Sequence, residues 1–255
     1  MAKHSYGWRR QRVDKRDLIF HRIKSVPLVS DLDLRPEQGP VKDQGQLSSC
    51  TANGITEELE AQALMQGDPL NLLSRLFVYY NERVMEGDPD QDGGAEIRDG
   101  IKSVASLGVC AESEWPYDVS QFAVKPPDQC YADALKFRAI KYQAVPQNLD
   151  SIKAALGTAR GIVLGIQVYD SFESDAVEQT GIVPMPASDE SFLGGHCVRL
   201  VGYSDNGING IPAGNFIGMN SWGTDWGLTG FFAIPYAYIT DQDLTGDLWS
   251  ITAVS

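Results

Sequence analysis

Two residues in this sequence have the chemistry of a nucleophile and its base. Cys50 stands at the start of a run in which Ala52, Ile55, Leu59 and Ala63 recur at helical spacing. Its sulfur therefore lies at a helix N-terminus, where unpaired backbone N–H groups and the macrodipole favour a thiolate and are expected to lower the thiol pKa. A nucleophilic sulfur also needs a partner to take its proton and later return it. Of the three histidines, His4 and His21 lie in a basic N-terminal arm, which leaves His196. It follows Gly194-Gly195 and opens the apolar run Cys197-Val198-Arg199-Leu200-Val201, a strand pattern that fixes an imidazole at its beginning. Either residue alone is compatible with an inert buried thiol or a core histidine. Taken together with the motifs around them, they are not.

The elements that must bring the pair together fall into two halves. Ser48 or Ser49 can cap a helix over 51–65, in which Glu57, Glu58 and Glu60 stand between the apolar positions. A second helix is predicted over 71–86 and a third over 97–107, so a helix-rich half ends near residue 135. Beyond it come a short helix at 149–156, a buried strand at 161–168, and strand signals at 197–203, 215–220, 230–234 and 249–254. Helices first and strands later imply an α+β fold with two packed lobes, one helical over about 46–135 and one of strands over about 136–255. Residues 27–46, rich in Pro, Asp and Gly, read as extended chain with turns. There is no internal repeat.

Charge separates one further segment. The whole chain of 255 residues carries −13, which argues against a general polyanion binder. Residues 1–26 nevertheless hold eight Lys and Arg against two acids, a net +6, which leaves −19 on residues 27–255. Such an arm can be a mobile tail, a nucleic-acid or membrane patch, or a segment that docks on its own body. Trp8, Leu18, Ile19, Phe20 and Ile23 favour docking, because a free tail rarely carries so much apolar surface. No apolar run reaches the roughly 18 residues of a membrane span, and the first residues lack the apolar core of a signal peptide. Neither a membrane nor a nucleic-acid partner is expected. The four cysteines are too few for a disulfide scaffold and none has the CxxC spacing of a zinc or redox site.

Three separated blocks now carry a resemblance. Val41-Lys42-Asp43-Gln44-Gly45-Gln46-Leu47-Ser48-Ser49-Cys50, then Gly195-His196, then Met219-Asn220-Ser221-Trp222-Gly223 resemble the papain-like cysteine peptidases in order and spacing, over about residues 30–255. Within that family the chain looks most like a bacterial branch with a short N-terminal extension. The resemblance implies a helical left lobe and an antiparallel, β-barrel-like right lobe with the active site between them, acting on a peptide or protein without metal or organic cofactor. It makes Cys50 the nucleophile, His196 its base, and Asn220 the acceptor that orients the imidazole. Trp222 would shield that bond, while the Gln44 amide and the Cys50 N–H would form an oxyanion hole. Gly93, Gly94, Ala95, Ile166 and Cys197 become the candidate substrate-pocket residues. Ala95 and Cys197 suit an apolar side chain, and Glu96 nearby a basic one. The missing long prosegment would leave residues 1–26 as a short inhibitory arm over an acidic cleft.

Departures from the family pattern qualify this. Leu47-Ser48-Ser49-Cys50-Thr51 replaces Cys-Gly-Ser-Cys-Trp, so the disulfide of that first cysteine cannot form, and Thr51 leaves the cleft floor more polar. Cys110 and Cys130 could pair or remain two free thiols. Residues 88–99 match a calcium loop, with acids at positions 1, 3, 5 and 12 and Gly at 6, though Asp at 12 is a weaker ligand than Glu and such loops normally come in pairs. A calcium-binding interaction module and a non-catalytic, self-blocked peptide binder are thus the rival readings. Transglutaminase-like amide exchange usually ends its triad in Asp, and Asn220 speaks against it.

Overall fold

The computed structural model describes residues 2–23, 27–159 and 161–254. Four helices, α1 (Cys50–Met65), α2 (Arg75–Glu86), α3 (Ile97–Leu107) and α4 (Asp128–Ala134), make one side of the molecule. The other is an antiparallel sheet of β1 (Asp31–Asp33), β2 (Ala139–Ala144), β3 (Ile162–Tyr169), β4 (Phe192–Ser204), β5 (Asn215–Met219), β6 (Phe231–Pro235) and β7 (Thr245–Val254). Strand order is β2-β7-β3-β4-β5-β6, with β1 on β4, so the sheet is barrel-like without closing. Helices α5 (Leu149–Ala159), α6 (Asp175–Thr180) and α7 (Tyr236–Thr240) accompany it. The α+β, two-lobed architecture is as expected.

Local chemistry sets the boundaries. Helix α2 begins at Arg75, not at 71, because the Ser74 hydroxyl accepts the Phe77 N–H at 3.1 Å and Leu73 is drawn into a bridge with Ala111. It ends where Gly87 takes φ +89°, a left-handed conformation that favours glycine. The capping expected of Ser48 or Ser49 at α1 is not made: the Ser49 hydroxyl meets the Tyr117 hydroxyl at 2.5 Å and accepts from Asn53 instead. Strand β4 starts five residues before the expected 197, since Phe192, Gly194 and Gly195 already pair with β3. Strand β2 and helix α4 carry no periodicity strong enough to announce them.

Helix α1 differs most from its sequence reading. Glu57, Glu58 and Glu60, which stand between its apolar positions, are buried as well, because the helix lies between the lobes. Arg199 on β4 donates to Glu58 at 2.6 Å with both side chains fully buried, and Lys42 donates to Glu60 at 2.6 Å. Ions so placed are stable only as pairs. The helical core also takes in Val163, Cys197, Trp249 and Ile251 from the sheet. The lobes therefore share a core at α1, whose first residue is Cys50.

Candidate active site

Cys50 opens α1 and is fully buried; its sulfur accepts hydrogen bonds from the backbone amides of Cys197 and Gly7. The β3–β4 register sets Ile166 opposite His196 and Gly165 opposite Cys197, which brings the histidine to the strand that faces α1. His196 Nε2 lies 2.8 Å from Asn220 Oδ1, at the end of β5, while its Nδ1 is buried with no hydrogen-bond partner. Trp222 stacks on the imidazole at 4.9 Å between centroids. Gln44 is locked by the Ser221 hydroxyl, which donates to its Oε1 at 2.7 Å, leaving Nε2 to donate outward. Gln44, His196, Asn220 and Trp222 thus form one cluster through Ser221, and Cys50 opens the helix that packs on the strand bearing His196.

What they face is the N-terminal arm. Gln44 Nε2 donates to the Ser5 carbonyl at 3.1 Å, and His4 stacks on Trp222 at 3.8 Å. The Trp8 N–H donates to Gly195 O at 2.9 Å, while Ala95 donates to Gly7 O at 2.7 Å and receives the Arg9 N–H on its own carbonyl at 3.0 Å. Residues 7–9 therefore lie as an extended segment between one backbone from each lobe. The contacts need bare backbone: a Cβ on Gly94 would stand 2.0 Å from Gly7 O, one on Gly165 1.9 Å from the Trp8 ring, and one on Gly195 2.4 Å from Trp8 O. The Trp8 indole N–H donates to Asp247 Oδ2 at 2.9 Å. Opposite charges meet along the arm, with Lys3 on Asp175 and Glu178, Arg9 on Glu86 and Asp88, and Arg22 on Asp150. Glu173 collects the Lys3 and His4 amides and the Tyr6 hydroxyl.

Burial sets the electrostatics. Cys50 is pushed up to about 11, against the fall expected from its helix N-terminus, because loss of solvent around the sulfur outweighs the backbone amides of Cys197, Gly7 and Thr51. His196 is pulled down to about 4 by burial, although its bond to Asn220 favours the charged ring. In this arm-covered form the pair is thiol and neutral imidazole near neutral pH.

A family model described as papain family cysteine protease matches residues 28–243. The chain belongs to that family. The crystal structure of xylellain, a cysteine protease from Xylella fastidiosa, aligns with TM-score 0.90 at 37% identity over 98% of this chain and 97% of that one. An uncharacterised peptidase C1-like protein of Acanthamoeba polyphaga mimivirus is 38% identical over 98% of this chain and 88% of its own length. Cysteine proteinase 1 of Dictyostelium discoideum is 27% identical over 82% of this chain, which spans 61% of that protein. Bacterial, viral and other relatives occur together, so the similarity defines the family and not the source.

Against the papain-family pattern, the pocket expectations divide. Gly94 and Ala95 touch the arm, Gly93 flanks Arg9, and Cys197 lies buried beside Gly54 and the Cys50 sulfur. Ile166 does not line the cleft: it is fully buried in the sheet core, and its neighbour Gly165 is the residue on which Trp8 rests. Gly165 and Asp247 were not recognisable beforehand, because only the strand register and a φ of +56° at Asp247 turn them toward Trp8. The 88–99 loop is committed elsewhere. Asp92, at position 5, accepts the Ser48 N–H at 3.0 Å and the Tyr79 hydroxyl, Asp88, at position 1, takes Arg9, and Arg83 ties down the loop backbone through the Pro89 and Gln91 carbonyls.

Thr51, where the family usually has an aromatic, donates to Glu82 Oε1 at 2.6 Å. Burial pushes Glu82 up to about 8, so it is protonated in the folded chain at neutral pH while the unfolded chain ionises near the ordinary 4.5. Its contribution is fully present below about pH 4.5 and is lost as pH rises to about 8, at a slope near 1.4 kcal/mol per pH unit. Urea unfolding at pH 5 and pH 8 should therefore show wild type losing more stability than Glu82→Gln, which keeps an acceptor for Thr51 and has nothing to ionise. Parallel losses in the two proteins would contradict a buried neutral Glu82.

Proposed function

We propose that this chain is a cysteine endopeptidase that hydrolyses peptide bonds through a thioester acyl-enzyme, and that its N-terminal arm holds it in a self-blocked form. The observation that carries the reading is the 2.8 Å contact of His196 Nε2 with Asn220 Oδ1, which leaves Nδ1 as the free nitrogen of a ring next to the Cys197 amide that reaches the Cys50 sulfur. Nε2–H donates to Asn220, and Nδ1 takes the Cys50 proton. The thiolate attacks the peptide carbonyl, and the oxyanion is received by the Gln44 side-chain amide and the Cys50 backbone N–H. His196 returns the proton to the leaving amine, then deprotonates the water that attacks the thioester, and the acid product leaves with the thiol restored.

Gln44 already donates to a carbonyl, that of Ser5, which supports its role as an oxyanion donor. Ala95 and Gly195 pair with Gly7–Arg9 through main-chain groups, and a substrate strand would use the same ones. The arm's match of charge to Glu86, Asp150, Asp175 and Glu178, and its place on every one of these groups, support self-blocking. In chain lacking residues 2–23, Gln44→Ala should lower kcat/KM for peptides by about 10²–10³-fold through kcat, with KM and Cys50 alkylation little changed. Undiminished kcat would remove Gln44 from the oxyanion hole. Absence of peptide hydrolysis by that arm-free chain would leave the non-catalytic binder as the better reading.

A further inference from the structure

The chemistry proposed for Cys50 leaves two buried thiols unused. Cys110 follows α3 and Cys130 lies in α4; they are 2% and 3% exposed. Their sulfurs and a carboxylate oxygen of Glu114 all lie within 4.8 Å of one another, the one such group of potential ligands among the described residues. We infer that Cys110 and Cys130 are an oxidisable pair that closes to a disulfide in an oxidising medium and staples the 111–129 connection to the helical lobe.

The backbones on both sides are already fixed. Cys110 O accepts the Ser74 N–H at 2.9 Å, at the cap of α2, and Val109 N–H donates to Phe137 O at 2.9 Å. Cys130 N–H donates to Pro127 O at 2.9 Å. The end of α3 meets α4 so closely that a Cβ on Gly108 would stand 1.8 Å from Ala134 O. With both chain segments held, bond formation asks mainly for rotation about the cysteine side chains. The thiols also lie side by side, and the Cys130 thiol contacts the Glu114 carbonyl at 3.9 Å. A zinc ion would use the same two sulfurs with Glu114, but that side chain is exposed and a fourth protein ligand is absent from the group.

The exchange needs a low-molecular-weight disulfide as oxidant. The Cys130 thiolate attacks one of its sulfurs, a mixed disulfide forms, and a small thiolate leaves and takes up a proton. The Cys110 thiolate then attacks the Cys130 sulfur, the 110–130 bond forms, and the second small thiol is released. Two protein thiols are oxidised as one small disulfide is reduced to two thiols.

The stapled connection is not remote from the cleft. Its Tyr117 hydroxyl donates to Gln44 O at 2.9 Å and meets the Ser49 hydroxyl, while the Ser74 hydroxyl donates to Trp115 O at 2.7 Å. The reductant that keeps Cys50 as a thiol would therefore release a brace behind Gln44 and Ser49.

The test uses the full chain, folded, equilibrated with glutathione disulfide in excess over glutathione or with glutathione alone, then acid-quenched, alkylated and mapped by mass spectrometry. The expected result is a 110–130 bridge in the oxidised sample, with Cys50 and Cys197 not joined to either. The wild-type Tm should rise by about 5–10 °C on oxidation and that of Cys130→Ser should not. Both thiols alkylated at every poise, or either bridged to Cys50 or Cys197, would overturn the proposal. So would a zinc-dependent rise in Tm of the reduced wild type that Cys130→Ser lacks, since the pair would then be a metal site. Peptide mapping on wild type decides the matter even if Cys130→Ser fails to fold, and none of these readouts depends on peptidase activity.

Discussion

Cys50→Ala, made in the chain lacking residues 2–23, is expected to lower peptide turnover by about 10⁴–10⁶-fold, with no change in the fold by circular dichroism. The size follows from the role: without the sulfur there is no acyl intermediate, and what remains is the rate that peptide binding and the oxyanion donors confer on attack by water. The alanine fits, because Cys50 is enclosed and a smaller side chain asks nothing to move. The measurement is initial rate against a peptide series, with mass spectrometry for a transient acyl adduct on Cys50 in the parent. Turnover within tenfold of the parent would mean that another group is the nucleophile, and an adduct on Cys197 would name it.

Weakening the arm is expected to do the reverse. Trp8 is buried against Gly165 and bonded to Asp247, and truncating a buried aromatic costs on the order of 3 kcal/mol or more. If that cost falls on the docked state, Trp8→Ala raises the uncovered fraction by about 10²-fold. A second variant reaches the same end without removing an anchor: a Cβ on Gly7 would stand 1.8 Å from Ser48 O, so Gly7→Ala cannot seat the arm as it lies. Both should speed alkylation of Cys50 at pH 7 and peptide hydrolysis in parallel. Solvent returned to the site brings the Cys50 pKa down from about 11 and the His196 pKa up from about 4, so the ion pair becomes accessible near neutrality. Unchanged labelling with a lowered Tm would make the arm a structural strap instead.

Cys50 and Asn220 were legible because they sit at element ends, the first residue of α1 and the residue after β5, while His196, inside β4, was marked by the Gly194-Gly195 pair before it. The same logic could not see through the fold. The burial of Glu57, Glu58 and Glu60 was not visible, because the partners of Glu58 and Glu60, Arg199 and Lys42, are far away in sequence or in another element. The helix N-terminus pointed to a lowered Cys50 pKa, but it carried no sign of the burial that pushes the thiol up. Ile166 was expected at the pocket, but Trp8 rests on its neighbour Gly165, where its approach requires the absence of a side chain. The +6 against −19 division takes physical form in the ion pairs of Lys3, Arg9 and Arg22 with acids of the body.

Gly94, Gly165 and Gly195 together line the groove with ribbons of naked main chain. Amides and carbonyls are common to every polypeptide, so such ribbons grip a visitor without reading which one it is. In the peptidase proposed, discrimination would be left to side chains beside those ribbons, such as Asp247, which holds the Trp8 indole, and exchanging them would retune what the groove accepts while its grip stays as it was.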